Sequence, residues 1–153
     1  MVNVSALKKF LKKHSHIFLD TSIFIYYIEQ HHRYHILCEL VFQALEEGKI
    51  KASTSSLSLM EILVQPYKKK RDDLVLKFYA LFTTYPNLDW IDFNLDISDT
   101  AARLRAEYRL KTPDAIQAAT AISSGAAGFL GNDADFKRVK ELACFLLDDC
   151  LEK

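Results

Sequence analysis

Short apolar runs alternate with longer stretches of helical period along this 153-residue chain. The apolar runs predict strands near residues 16–19, 49–52, 88–92, 127–130 and 144–148. Between them, the spacing of hydrophobic positions predicts helices near 22–30, 34–47, 55–65, 72–84, 97–109 and 113–123, with a short turn near 134–140. This alternation is typical of an α/β domain with a mainly parallel sheet.

The segment that precedes the first strand has its own pattern. Leu7, Phe10 and Leu11 share one helical face of residues 4–13, and lysines occupy the remaining positions. We therefore expect residues 1–15 to form an amphipathic helical extension and residues 16–153 to form the main domain.

Several residues predict where elements begin and end. Gly48 is expected to end one helix and Pro66 to stop another. The hydroxyl-rich run 53–56 offers an amino cap to the helix after it. Thr112 is expected to cap the last long helix, with Pro113 at its first position.

Length and composition are those of one globular domain, and they restrict the classes of partner. Lysine plus arginine equals aspartate plus glutamate at 20 each, so a nucleic-acid partner requires local positive patches. The 3 cysteines lack CxxC spacing, which favours reduced thiols and a cytoplasmic protein. No apolar run reaches membrane-spanning length and no secretion signal is present, so we expect no membrane association.

Acidic residues follow the predicted strands. Asp20 comes directly after "IFL", and Asp133 and Asp135 come after "GFLGN", where Gly131 and Asn132 supply a sharp turn. Each acid also suits a helix cap or turn, and that alternative stays open. Functional groups nevertheless gather at the carboxyl ends of strands in open parallel sheets.

Two more acids lie on predicted helices. Glu61 is the only charge in "SSLSLMEILV", where Leu57, Met60, Leu63 and Val64 are expected to cover an apolar surface. Glu61 therefore either points outward or, if buried, needs a partner. Asp114 lies in the first turn of "TPDAIQAATAIS", which also suits the positive end of a helix dipole.

The acids point to one kind of metal chemistry if they converge. Four carboxylates in one pocket repel one another, and a divalent cation relieves that repulsion. Oxygen ligands favour Mg²⁺ or Mn²⁺ over zinc. The histidines lack zinc-motif spacing, and the chain has no nucleophile-elbow or glycine-rich phosphate-binding motif.

Four segments resemble the ordered acidic motifs of a known family. "FLDTSIFIYYI", "SLSLMEIL", "KTPDAIQAAT" and "FLGNDADF" are similar to those of PIN-domain ribonucleases, particularly VapC-type toxins of toxin-antitoxin pairs. The third segment is the most specific, and the resemblance covers about residues 16–148. It implies an α/β/α sandwich with a central five-stranded sheet and Mg²⁺- or Mn²⁺-dependent cleavage of RNA.

The resemblance also implies roles for individual residues. Asp20, Glu61 and Asp114 match the first three acids of the family. Asp133 is favoured as the fourth acid and metal ligand, with Asp135 a close second. Asp20 and Asp114 are expected to be the principal metal ligands, with Glu61 and Asp133 completing the shell or orienting metal-bound waters. The hydroxyl of Thr21 or Ser22 is expected to hold a water, and Asn132 supports the turn.

Expected partners follow from the same resemblance. RNA phosphates would meet Arg103, Arg105, Arg109 and Lys111 before the Asp114 helix, or "KKKR" at 68–71. A solvated helix face explains the arginines equally well, and a charge run such as 68–73 is more often a solvated loop. The family implies a homodimer and a separate antitoxin whose basic side chain pairs with the acids. The aromatic stretch 22–28 is expected to pack in the core and to leave a face for a partner.

Two other functions are compatible with the residues. A phosphatase with Asp20 as nucleophile usually needs a second acid two residues later, where this chain has Ser22. A catalytically silent PIN-fold scaffold protein would keep the acids and block the path of the substrate.

Overall fold

The apolar runs form one parallel sheet in the computed structural model, which describes residues 2–152. Its strands are β1 (His16–Leu19), β2 (Lys51–Ser55), β3 (Leu88–Ile91), β4 (Gly128–Gly131) and β5 (Cys144–Leu146). They lie in the order β3-β2-β1-β4-β5, and every neighbouring pair is parallel. The prediction of a mainly parallel five-stranded sheet is confirmed.

Helices connect the strands. They are α1 (Val4–Lys13), α2 (Thr21–Ile28), α3 (His35–Glu46), α4 (Ser56–Lys68), α5 (Asp72–Thr83), α6 (Leu95–Tyr108) and α7 (Thr112–Ser124). Two short 3-10 helices follow, at Ala134–Arg138 and Leu147–Cys150. Within residues 2–152, no helix has both the length and the apolar character needed to cross a membrane.

The alternation of side chains along β1 divides the hydrophobic core into two layers. Ile17 and Leu19 face a core that includes residues of α1, α2, α3 and α5, whereas Phe18 faces a second core built with α6 and α7. Successive residues of a strand point to opposite faces, so each face of the sheet receives its own helices. The result is the expected three-layer α/β/α arrangement.

The strand order reverses beside β1. The chain proceeds outward from β1 through β2 to β3, and then returns to place β4 on the other side of β1. In open α/β sheets such a reversal leaves a crevice at the carboxyl ends of the two central strands, where ligands bind. Here Asp20 follows β1 and Asn132 follows β4.

The N-terminal helix α1 packs against the domain. Leu7 is fully buried and Phe10 nearly so. Phe10 lies so close to β4 that a Cβ atom at Gly128 would meet Phe10 Cζ at 2.7 Å. The predicted helix is present, whereas the division into residues 1–15 and 16–153 stays a prediction; its outer limits, Met1 and Lys153, lie outside the described residues.

The prediction that Pro66 stops a helix is wrong. α4 continues to Lys68, and Pro66 is buried near its end. Proline removes only the hydrogen bond of its own missing N–H. The backbone N–H groups that follow it still donate to helix carbonyls, as Lys69 N–H does to Gln65 O at 3.0 Å. One missing bond close to the helix terminus is therefore tolerated.

Two other boundaries differ from the sequence predictions. Lys111, and not Thr112, occupies the cap position of α7, so Pro113 is the second helical residue and not the first. The first turn of a helix leaves its N–H groups without partners, so the N–H that Pro113 lacks is not needed there and the helix can begin one residue earlier. Strand β2 lies later than predicted, at Lys51–Ser55, because its hydroxyl residues are buried and hydrogen-bonded. Thr54 Oγ1, for example, donates to Leu19 O at 2.8 Å.

The cysteines agree with the prediction of free thiols. Cys38 and Cys150 are buried, Cys144 is partly buried, and all are free. Burial raises the pKa of the Cys38 thiol to about 12, so this group stays protonated at neutral pH.

Candidate active site

Asp20 lies at the crevice beside β1. It occupies the cap position of α2, yet its carboxylate makes no capping hydrogen bond. Its Oδ2 accepts a hydrogen bond from Ser22 Oγ at 3.1 Å. A Cβ atom at Gly131 would lie 3.2 Å from Asp20 Cβ, so the glycine leaves room for this side chain next to β4. Helix capping therefore does not account for Asp20.

An open pocket of about 470 Å³ occupies this crevice. Four acids from separate parts of the chain line it: Asp20, Glu61, Asp114 and Asp133. The remaining wall is formed by Thr21, Ser22, Ile25, Tyr26, Pro113, Gln117, Asn132, Ala134 and Phe136. The fold thus brings together the four acids that the sequence singled out.

Three carboxylates form the tightest group in residues 2–152. Asp114, Asp133 and Asp135 each place one oxygen within 4.8 Å of the others. Asp114 comes from the first turn of α7, and the other two come from the loop and 3-10 helix after β4. Asp20 and Glu61 line the same pocket outside this closest group.

The shared pocket opposes ionisation of two of its acids. Burial raises the pKa of Asp20 from 3.8 to about 6, and the charges of Glu61 and Asp114 add to the increase, while the Ser22 hydroxyl and Thr21 N–H oppose it. Burial also raises the pKa of Asp114, and the negative charges of Asp133 and Asp135 raise it further. A bound cation would remove this penalty.

Asp133 and Asp135 have different electrostatic partners. Asp135 Oδ1 forms an ion pair with Arg138 Nη2 at 2.5 Å. Arg138 Nη1 also donates a hydrogen bond to Tyr108 O at 3.2 Å. Asp133 Oδ1 accepts the backbone N–H of Asp135 at 2.9 Å, and it forms no ion pair within residues 2–152. The charge of Asp135 is therefore compensated internally, whereas that of Asp133 is available.

A buried hydroxyl network, formed by Thr21, Thr54, Ser58 and Gln117, lies beneath the pocket. Thr21 Oγ1 donates to Glu61 Oε1 at 3.0 Å and lies 2.8 Å from Ser58 Oγ. Gln117 Nε2 donates to both hydroxyls at 2.9 Å. Because each hydroxyl has one proton, these bonds direct the proton of Thr21 to the Glu61 carboxylate.

The network joins three elements that carry acids. Ser58 lies one turn before Glu61 on α4, and Gln117 lies one turn after Asp114 on α7, so each shares a helical face with its acid. The sequence patterns did not identify Ser58, Thr54 and Gln117. For Ser58 and Gln117 the available signal was a polar side chain at helical spacing from an acid. Thr54 lies on β2 and gave no such signal.

Gln117 carries an orphan atom. Its Oε1 is buried and accepts no hydrogen bond from residues 2–152, although its Nε2 makes two. Such a buried, unpaired acceptor is uncommon in folded proteins and is found at functional sites. Gln117 belongs to the lining of the pocket, and one of its two acceptors, Thr21, contacts Glu61.

The side of α4 that faces the core differs from the prediction. Met60 and Val64 were expected to cover an apolar surface, but they are 57% and 39% exposed. The buried side consists of Ser58, Ile62 and Pro66, because α4 faces the polar network as well as the core. Glu61 is half-buried, and the partner that it requires is Thr21.

The structure places the supporting residues at the pocket wall. Ser22 contacts Asp20, as described, and Thr21 contacts Glu61. Asn132 Oδ1 accepts the N–H of Asp148 at 2.9 Å, and its Nδ2 donates to the Tyr26 hydroxyl at 3.3 Å. Asn132 therefore fixes the loop that carries Asp133.

The basic residues before α7 are exposed but differ in their contacts. Arg103 forms ion pairs with Glu107 and Glu141, each at 3.1 Å. Arg105 Nε donates to Leu110 O at 3.2 Å, and Arg109 ends α6 in a left-handed conformation. Lys111 is close enough for its charge to lower the pKa of Asp114, which other causes raise.

The other predicted basic cluster is less available. Arg71 of the run 68–71 is held by a bidentate ion pair with Asp73, whose oxygens accept bonds at 2.8 Å and 2.9 Å. This contact uses two of the N–H donors of the planar Arg71 guanidinium. The run therefore provides free cations only through its lysines.

The donor set fits a hard divalent cation. The pocket is lined by carboxylate and hydroxyl side chains, and no histidine or cysteine belongs to its lining or to the closest acidic group in residues 2–152. Oxygen ligands of this kind suit Mg²⁺ or Mn²⁺. The arrangement can therefore hold a cation next to an open, polar cavity.

Comparisons with solved structures find the same fold. A chain in the crystal structure of VapBC2 from Rickettsia felis is 24% identical, with a TM-score of 0.65, and the match covers 86% of this chain and 98% of that one. A chain of VapBC-1 from nontypeable Haemophilus influenzae is 19% identical, with a TM-score of 0.67 and coverage of 87% and 98%.

A third solved structure, VapC20 from Mycobacterium tuberculosis, is 15% identical, with a TM-score of 0.66 and coverage of 83% and 97%. No curated protein sequence matches the chain significantly. The family model for the PIN domain matches residues 17–142, which include all the acids of the pocket. This match spans most of the chain, and the protein therefore belongs to the PIN domain family.

Proposed function

We propose that this protein is a divalent-metal-dependent endoribonuclease and the toxin of a type II toxin-antitoxin pair. The observation that carries the proposal is the convergence of Asp20, Glu61, Asp114 and Asp133 on one open pocket at the reversal of strand order. The PIN domain match supports a nuclease.

The structural neighbours support the choice of RNA and of a partner protein. VapC20 is described as a toxin that cleaves the sarcin-ricin loop, and other neighbours are VapBC or toxin-antitoxin complexes. By analogy, we propose that the substrate is RNA and that a separate antitoxin binds this chain. We further propose a homodimer in the cytoplasm, as expected for this type of toxin.

The residues that would hold Mg²⁺ or Mn²⁺ are Asp20, Asp114 and Asp133. The ion pair between Arg138 and Asp135 favours Asp133 over Asp135 as the fourth acid, because Asp135 already has a positive partner. A bound divalent ion supplies positive charge that offsets the carboxylates and the charge that develops on the phosphodiester.

The protein's own residues supply orientation. Thr21 holds the Glu61 carboxylate through its hydroxyl, so that the free oxygen of Glu61 can accept a proton from a water in the pocket. Ser22 fixes Asp20 in the same way. Arg105, Arg109 and Lys111 are the proposed phosphate contacts, and Arg103 joins them only when its surface ion pairs open.

The test is digestion of total RNA with and without a chelator. The wild-type protein, freed from any copurified antitoxin, is incubated with RNA and Mg²⁺ or Mn²⁺, and the products are resolved on a denaturing gel. Cleavage should require the ion, should stop with EDTA and should be absent in Asp114→Asn. The matched control is Asp99→Asn, an exposed acid on α6, which should cleave normally.

A second measurement separates metal binding from activity. Mn²⁺ should raise the melting temperature of the wild-type protein, because a ligand that binds only the folded state stabilises it. Asp114→Asn should lose most of this increase, and Asp99→Asn should keep it. Metal-dependent cleavage that survives in Asp114→Asn would contradict the proposed site.

The same assays distinguish the alternatives. A catalytically silent scaffold would bind Mn²⁺ or RNA without cleaving RNA, although the open pocket leaves the acids accessible. A phosphatase with Asp20 as nucleophile would form a phosphoenzyme that can be trapped. Ser22, which donates to Asp20, cannot serve as the second acid of that reaction.

A further inference from the structure

Four aromatic side chains form a stack between α2 and α3. Tyr26 and Tyr34 stack at 4.7 Å between ring centroids, Tyr34 and His31 stack at 4.7 Å, and His31 and His32 stack at 4.7 Å. The interplanar angles of these stacked pairs are 30°, 24° and 20°. His31 also contacts Tyr26, with ring centroids 4.8 Å apart and a tilt of 54°, so Tyr26, His31 and Tyr34 form a compact three-ring cluster on which His32 stacks through His31. We call these residues, Tyr26, His31, His32 and Tyr34, the aromatic stack.

The inner end of the stack belongs to the acid pocket. Tyr26 lines the pocket, and its hydroxyl accepts a hydrogen bond from Asn132, the residue before Asp133. Tyr34 is buried and donates its hydroxyl proton to Asp148. These contacts hold the inner rings at a fixed position relative to the acids.

The outer end of the stack is open to solvent. His32 is exposed and His31 is half-buried. His31 Nδ1 accepts the backbone N–H of Arg33 at 3.2 Å, which holds the turn. Gln30 precedes the turn with a φ of 50°, a left-handed conformation that directs the chain out of α2. Arg33 is exposed, and its guanidinium forms no ion pair within residues 2–152.

A core-packing role explains Tyr26 and Tyr34 but does not explain His32. A histidine that serves only the fold has no need to stack on a second histidine in solvent. A shared metal ion does not explain the His31–His32 pair either. The lone pairs of ring nitrogens lie in the ring planes, so two nearly parallel stacked rings do not point their nitrogens at one common ion. Among the aromatic rings of residues 2–152, the exposed His32 stacks only on His31, which leaves a stacking position beyond it.

We infer that the aromatic stack is a nucleobase-binding subsite, in which an unpaired RNA base stacks on the outer face of His32 and Arg33 contacts a neighbouring phosphate. Unpaired RNA bases bind in this way to aromatic side chains, and the contact tolerates different bases. This inference rests on the proposed function, because the stack begins at the pocket in which the phosphodiester would be cleaved. It adds a second point of attachment outside the acids.

The experiment measures stacking directly in a cleavage-deficient background. Asp114→Asn protein is titrated into short single-stranded RNAs that carry 2-aminopurine at successive positions, because the fluorescence of this base falls when it stacks. One position should be quenched. His32→Ala should remove the quenching and weaken RNA binding about tenfold, near the lower end of measured base-stacking contributions. His32→Phe should restore both.

The matched control is Tyr79→Ala, which removes an exposed ring from α5 and should leave quenching and affinity unchanged. In the cleavage-competent protein, His32→Ala should raise KM with little change in kcat. Equal binding and quenching in the parent and His32→Ala would overturn the inference, as would loss of binding in His32→Phe.

The outcomes separate the two proposals. Metal-dependent cleavage with no effect of His32 overturns the subsite and leaves the proposed function intact. RNA binding that depends on His32 without any cleavage supports the subsite and overturns the proposed activity. Absence of RNA binding by every variant overturns both.

Discussion

Asp20 combines burial with a negative charge. In the metal-free protein its pKa is about 6, compared with 3.8 for the unperturbed group. Between these values the folded state holds a proton that the unfolded state releases, so the free energy of unfolding falls as pH rises from about 4 to about 6. The shift corresponds to a loss of about 2–3 kcal/mol, which persists above pH 6.

Asp20→Asn should therefore stabilise the metal-free protein near neutral pH while it abolishes cleavage. We expect a gain of up to about 2 kcal/mol at pH 7.5 and a much smaller difference at pH 4, measured by urea unfolding in EDTA. Ser22→Ala is a useful comparison, because it removes the hydroxyl bond that opposes the shift. An unchanged pH profile in Asp20→Asn would exclude Asp20 as the cause.

Thr21 is the link between the buried hydroxyl network and Glu61. Thr21→Val preserves shape but leaves Glu61 Oε1 without its donor and Gln117 Nε2 with one acceptor fewer. We expect a loss of about 1–3 kcal/mol in stability and at least about a tenfold loss in kcat. Thr21→Ser keeps the hydroxyl and should recover most of both. The measurements are thermal unfolding and RNA cleavage rates, and equal rates in the two variants would reject the role of the hydroxyl.

At the scale of elements, α1 depends on the absence of a side chain at Gly128. A Cβ atom there would approach Phe10 Cζ to 2.7 Å and the His14 side chain to 3.1 Å. Gly128→Ala should therefore displace α1 and cost about 1–3 kcal/mol, as overpacking does. Thermal unfolding checks this, and the double variant Gly128→Ala, Phe10→Leu should recover part of the loss. No recovery would indicate that β4, and not α1, is strained.

The elements with a strong local pattern were predictable from sequence. The period of α1 and the apolar strands β1, β3 and β4 follow from residues that are close in the chain. β2 was placed too early because its serines and threonine carry no apolar signal. Thr54 is buried with a hydrogen bond to a residue 35 positions away, the 2.8 Å contact with Leu19 O. Bonds of this range cannot be read from local spacing.

The same distinction applies to the site. The acids were recognisable because each follows a strand or interrupts an apolar helix, and the reversal of strand order explains why they meet. Gln117 was hidden, because its partners Thr21 and Ser58 lie 96 and 59 residues away. The choice between Asp133 and Asp135 also needed the structure, since it depends on the position of Arg138.

At the scale of the whole molecule, equal numbers of acidic and basic residues leave no long-range attraction for RNA. Binding must then depend on a few local phosphate contacts, each of which releases counterions and steepens the salt dependence. Lys111 lies at the start of α7, three residues before Asp114, and is exposed. Arg103 is also exposed, but two glutamates hold it.

These differences predict unequal effects of two substitutions on RNA affinity. In the Asp114→Asn background, Lys111→Ala should reduce the slope of log affinity against log salt by about 0.7, the value for one contact with a single strand. Arg103→Ala should change the slope less, because breaking its ion pairs offsets part of what a phosphate contact gains. Fluorescence anisotropy at several salt concentrations measures both slopes. A larger effect of Arg103 would place the RNA along α6 and away from the entrance of α7.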